Sequence, residues 1–170
     1  MGISFTDQFS QTFRAEHREI RDALLGLVQA FQARDLERAR PLLLRTAELT
    51  GPHFRYEEDA MYPALVPNFG DEYIDKLLGD HDRAIGASQR LVEITKHNTL
   101  TDLEVRDGIR HVWGLLPHLS DCDGLSIMVE CLPENQVEAI FTARDHSRHA
   151  NLDLLTWAST IRPRPAVVPE

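Results

Sequence analysis

Residues 52–59 read Pro52-His53-Phe54-Arg55-Tyr56-Glu57-Glu58-Asp59. His53 stands four residues before Glu57, and on an α-helix that spacing puts both side chains on one face. An imidazole and a carboxylate so placed can hold one metal ion, or can each hold a different member of a metal pair. Residues 117–124, PHLSDCDG, echo the stretch: a proline, His118, an apolar residue, and Asp123 five residues after the histidine. Two further histidines, His17 and His81, lie on apolar stripes elsewhere. Four histidines and two or more carboxylates delivered by four helices would make a dinuclear metal site.

The helices are read from the periodicity around these residues. Over residues 6–32, Phe9, Phe13, His17, Ile20, Leu24, Leu27 and Phe31 recur at steps of three and four, with Thr6 or Asp7 as the cap. His17 lies in the middle of that stripe, where a lone histidine is a buried polar group bonded to a neighbour. Asp35 caps a second helix with Leu42, Leu49, His53 and Glu57 on its inner face. Gly51-Pro52 interrupts it, either as a kink that re-aims His53 or as the start of a separate helix. Tyr62-Pro63 is expected to end the element, and residues 66–71 to form a loop. A third helix, residues 71–96, carries Ile74, Leu77, Leu78, His81, Ile85, Ser88 and Val92 inward. A fourth, residues 102–131, carries Val105, Ile109, Val112, Leu116 and Leu119, with Pro117 inside it. Pro133 starts a fifth, polar in its middle, which reaches about Ser159 and covers the bundle. The fold class is therefore all-α: an up-down four-helix bundle, residues 1–160, with an additional C-terminal helix. A proline-rich tail, residues 161–170, is expected to be extended or disordered. No segment alternates as a half-buried strand does, and there is no phosphate-binding glycine loop or nucleophile elbow.

Composition excludes several partners. The chain has 170 residues, 42% of them apolar, and a net charge of −9. That size fits one domain with a true core, and the charge disfavours nucleic acid and anionic membrane. No apolar run spans a bilayer, and the N-terminus lacks the basic and apolar regions of a signal peptide. Cys122 and Cys131, nine apart, form neither a disulfide framework nor a zinc pattern, so a reducing cytoplasm is the expected location. Imidazoles with carboxylates suit iron, zinc, copper or manganese; the lack of paired thiolates disfavours structural zinc.

A lone His17, then His53 with Glu57, then His81, then His118 with Asp123, one set per helix in that order, resembles the hemerythrin-like (HHE cation-binding) family over about residues 9–131. The resemblance implies a hemerythrin-type bundle around two non-haem iron ions with an oxo or hydroxo bridge. Glu57 and Asp123 would bridge, His17 and His53 would sit on one iron, and His81 and His118 on the other. It also implies a small-molecule partner (O2, H2O2 or NO); because the sequence carries no flavin or nicotinamide motif, the electron donor is expected to be another protein or a small reductant.

Three departures from the family pattern bear on function. Ile85 stands where oxygen-carrying members have a second histidine, which leaves one iron an open position and favours substrate chemistry over reversible carriage. Tyr62, as a phenolate, is the first candidate to fill that position and Glu58 the second; a tyrosine that merely closes a helix end is the alternative. Asp123, five residues after His118, lies about 140° from it on an ideal helix, so both face one site only through a distortion such as a π-type turn. Cys122 stands where other members place a glutamate, either as a metal ligand or redox neighbour or, as is commoner for free cysteine, as a small core residue. His111 is close enough in helical phase to His118 to support it. The chain is expected to react with O2, peroxide or NO as a di-iron oxidoreductase, or to bind them or iron as a sensor or store.

Overall fold

A computed structural model describes residues 4–164. Among them are seven α-helices, one π-helical turn and no strand: α1 Phe5–Gln32, α2 Leu36–Tyr56, the π turn Glu57–Met61, α3 Tyr62–Phe69, α4 Asp71–Thr95, α5 Asp102–Val129, α6 Glu134–Ala150 and α7 Leu154–Thr160. The long helices α1, α2, α4 and α5 pack as the four-helix bundle that the stripes predict. No helix of the described residues is long and apolar enough to cross a membrane.

The local signals for the helix ends are mostly caps. Ser4, rather than Thr6 or Asp7, caps α1 by accepting the Asp7 N–H at 3.1 Å. Asp35 caps α2 through the Arg38 N–H, and Thr101 with Glu104 forms a full capping box on α5. Neither Pro52 nor Pro117 breaks its helix; α2 also contains Pro41. Each proline removes one backbone bond, and burial of neighbours such as His53, Phe54 and Leu119 offsets the loss. Tyr62-Pro63 does not end the second element. The chain passes through the π turn into α3, with Pro63 in the first turn, and stops only at Gly70, whose φ of 79° closes the helix. The expected fifth helix is two, α6 and α7, parted where Asn151 turns left-handed and Asp153 caps anew. Gly51 admits this break against α2: a Cβ there would lie 2.3 Å from the Leu152 carbonyl oxygen.

The core has two main apolar clusters. One holds Ile20, Leu24, Leu27, Phe31, Leu43, Leu91 and Val112; the other holds Phe9, Phe13, Tyr62, Leu65, Leu77 and Leu125. His17, between Phe13 and Ile20 on α1, lies in the polar layer that separates them. A smaller cluster joins Phe54 and Ile85 to Leu154 and Trp157, which seats α7 on α2 and α4. The expected tail, residues 161–170, falls partly outside the described residues: 165–170 are not described, while Arg162 is buried.

Candidate metal centre

His17, His53, His81 and His118 come one each from α1, α2, α4 and α5, and all four are buried. They converge in pairs on either side of Glu57, which is 0% exposed. His17 Nε2 lies 2.9 Å from His53 Nε2, and His81 Nε2 lies 3.0 Å from His118 Nε2. Glu57 Oε1 is 3.3 Å from His53 Nε2, and Oε2 is 3.1 Å from His81 Nε2. His17, His53 and Glu57 form one group of facing ligand atoms and Glu57, His81 and His118 a second, each with all its ligand atoms within 4.8 Å of one another. A first-row ion about 2.1 Å from two nitrogens at right angles would place them about 3 Å apart, the spacing of both pairs.

The outer nitrogens explain why these pairs suit a cation. His17 Nδ1 meets Asp123 Oδ1 at 2.7 Å, His53 Nδ1 meets Glu16 Oε2 at 2.9 Å, and His81 Nδ1 meets Glu58 Oε1 at 2.8 Å. His118 Nδ1 faces Asp80 Oδ2 at the longer distance of 3.8 Å. An imidazole that donates its Nδ1–H to a carboxylate keeps a lone pair on Nε2, the arrangement of a metal-binding histidine. Two such lone pairs facing each other repel unless a cation or a proton lies between them. Glu57 Oε1 is fully buried and accepts no hydrogen bond. A buried carboxylate oxygen left so is costly, and a cation shared with the imidazoles removes that cost.

Protonation by the protein alone tells the same story. Burial opposes charge on His53, yet Glu57 and Glu16 more than offset it and push the imidazole up to about 9. Burial and the adjacent His53 push His17 down to about 4. Burial would raise Glu57, but His53, His118 and His81 hold it well below the usual carboxylate range. Protons thus gather where a cation fits, and binding a metal would release them.

The π turn decides which residues reach the second group. Its closing bond runs from the Tyr62 N–H to the Glu57 carbonyl, five residues back, so Glu57 and Tyr62 share a face that an α-helix would deny them. The Tyr62 hydroxyl is 3.2 Å from His81 Nε2 and 3.6 Å from Cys122 Sγ; Cys122 Sγ is 3.5 Å from His118 Nε2. Cys122 is also a fully buried member of the apolar core. Ile85 is buried in the α7 cluster and offers no ligand.

The distortion that would bring Asp123 to the face of His118 is absent: α5 runs as one α-helix, and the π turn lies in the second element instead. Asp123 therefore diverges from His118. Its carboxylate reaches the back of His17 and Arg21, at 3.1 Å, and stands outside both ligand groups. Glu58 stands behind His81 rather than in its ligand face. His111 pairs with Asp107, at 3.5 Å, away from the centre. Sequence reasoning passed over Glu16 and Asp80. Each directly precedes a site histidine, and that adjacency was the only available signal. A cleft of about 410 Å³ lined by Glu16, Ile20, Pro52, His53, Tyr56 and Arg148 leads from the surface to His53.

Four buried imidazoles around one buried carboxylate, inside a four-helix bundle, define an all-α cation-binding protein. The chain matches the Hemerythrin HHE cation binding domain over residues 8–120, and it belongs to that family. No curated protein and no solved structure matches it.

Proposed function

We propose that the chain holds two iron ions, one in each ligand group, and reacts there with O2, peroxide or nitric oxide. The observation that carries this reading is Glu57: a buried carboxylate with one oxygen toward each pair of imidazoles and one oxygen without a hydrogen bond. Two iron ions would supply reversible electron transfer and a place for a small oxygen- or nitrogen-containing ligand. Glu57 spans the groups and balances charge. His17 and His53 serve one ion, His81 and His118 the other. The outer carboxylates, from nearly buried Glu58 to half-exposed Asp123, keep each imidazole oriented, and the two apolar clusters limit water.

The groups are unequal, and that inequality favours reaction over simple storage. Tyr62 and Cys122 flank only the His81–His118 group. Burial and Glu57 push the Tyr62 phenol well above its ordinary value, so it would ionise only against a cation. In this reading Tyr62 takes the position that Ile85 leaves. Burial and Glu57 push the Cys122 thiol up to about 11, so without a metal it stays a thiol. The second reading is a sensor or store, favoured by the tight enclosure of the histidines. Electrons would come from a partner protein or a small reductant, and a cytoplasmic location suits free Cys122 and Cys131.

The test is metal content and visible spectrum of protein purified without chelator. Two irons per chain, with charge-transfer bands that change on adding peroxide or azide, are expected. Iron that ignores both ligands would favour the store, and no iron after anaerobic reconstitution would overturn both readings.

A further inference from the structure

The family match ends at residue 120. The chain beyond it folds back over the centre and brings two arginines to it. From α6, Arg144 donates to Glu16 Oε1 from Nε at 2.7 Å, with Nη2 at 2.6 Å from the same oxygen. The other oxygen of Glu16 meets His53 Nδ1 and accepts the Tyr56 hydroxyl at 2.8 Å. After α7, the Arg162 side chain is 0% exposed. Its Nε and Nη2 fork onto Glu58 at 3.0 and 2.8 Å, and Nη1 donates to Asp82 at 2.6 Å. Glu58 in turn meets His81 Nδ1. Two chains of guanidinium, carboxylate and imidazole result. One ends in the His17–His53 group, the other in the His81–His118 group. The remaining two histidines draw on arginines within the bundle: Arg21 pairs with Asp123, and Arg83 with Asp80.

A carboxylate behind a ligating imidazole sets its orientation and basicity. A buried carboxylate keeps its charge and place only if it is itself paired. Arg162 does this with a bidentate fork of fixed geometry; Arg144 does it through one oxygen of Glu16, which Arg148 also reaches more loosely, at 3.4 Å. We infer that Arg144 and Arg162 are positioning residues of the metal centre, each acting through one carboxylate on one imidazole. The C-terminal segment thereby sets the metal affinity of the two groups separately. This rests on the reading of both groups as metal sites.

The test is cobalt(II) titration of the full chain, followed by the visible bands of the bound ion. H53A leaves only the His81–His118 group complete, and H81A only the His17–His53 group. In H53A, adding R162Q is expected to weaken cobalt binding about 10–100-fold, the usual effect of losing such a support; in H81A it leaves affinity unchanged. R144Q gives the reverse pattern. R162K, which keeps the charge but not the fork, weakens the same group by a smaller factor, and it serves if R162Q does not fold by circular dichroism. Equal effects on both groups, or wild-type affinity in R162K, would reduce Arg162 to a fold-stabilising latch and overturn the inference. Failure of the unsubstituted chain to bind cobalt or iron would instead bring down the metal reading itself.

Discussion

Glu57 is the residue on which both halves of the site depend. Because it faces both pairs, E57Q is expected to empty both groups, whereas H53A empties only the one it shares with His17; metal analysis of the two purified variants separates these outcomes. Equal loss in both would mean that the groups do not bind independently. Y62F is expected to keep both irons and the bands that answer peroxide or azide, but to lose the broad visible band that a phenolate on iron would contribute. A broad band that survives in Y62F removes Tyr62 from the metal. The inward histidines and Glu57 were legible in the sequence because helical spacing alone fixes which face they occupy. Glu16, Asp80, Arg144 and Arg162 were not. Their partners lie on other helices, and charged residues at such positions read as solvated surface until the packing is known.

At the scale of elements, the helices themselves were legible from their stripes, while their interruptions were not. Pro52 and Pro117 suggest breaks by local chemistry, but tertiary burial carries α2 and α5 through them. The π turn has no sequence signature of its own: it is identified by the bond from Tyr62 back to Glu57, and it places the phenol at His81. Asp123 shows the converse, since a regular α5 sends it to the back of His17. Gly51 makes an element-scale prediction. G51A pushes a methyl group into the backbone at Leu152–Leu154, and overpacking of this kind costs about 1–3 kcal/mol. Urea unfolding should show that loss, and a variant as stable as the parent would mean that the α6–α7 turn yields freely.

At the scale of the molecule, the bundle buries four imidazoles and a carboxylate that a metal would neutralise together, so iron removal should cost stability. With free metal about a hundredfold above Kd, one site contributes about 2.7 kcal/mol. For a chain of this size each kcal/mol moves Tm by about 2–4 °C, so chelation should lower Tm by roughly 5–10 °C per site. An unchanged melting curve would speak against a core site. Loss of Arg162 removes the fork from Glu58 and leaves Asp82 with Arg164 alone, at 3.1 Å, so the cost stays below the roughly 3–5 kcal/mol of a fully unpaired buried charge. The C-terminal helices thus belong to the centre as well as to the fold, although residues 134–164 lie beyond the family match. The most direct test of the account is anomalous diffraction at the iron edge from iron-loaded crystals. Two peaks are predicted, one between Glu57 and the Nε2 atoms of His17 and His53, the other between Glu57 and those of His81 and His118. A single peak, or iron held by Asp123 with Glu57 free, would contradict it.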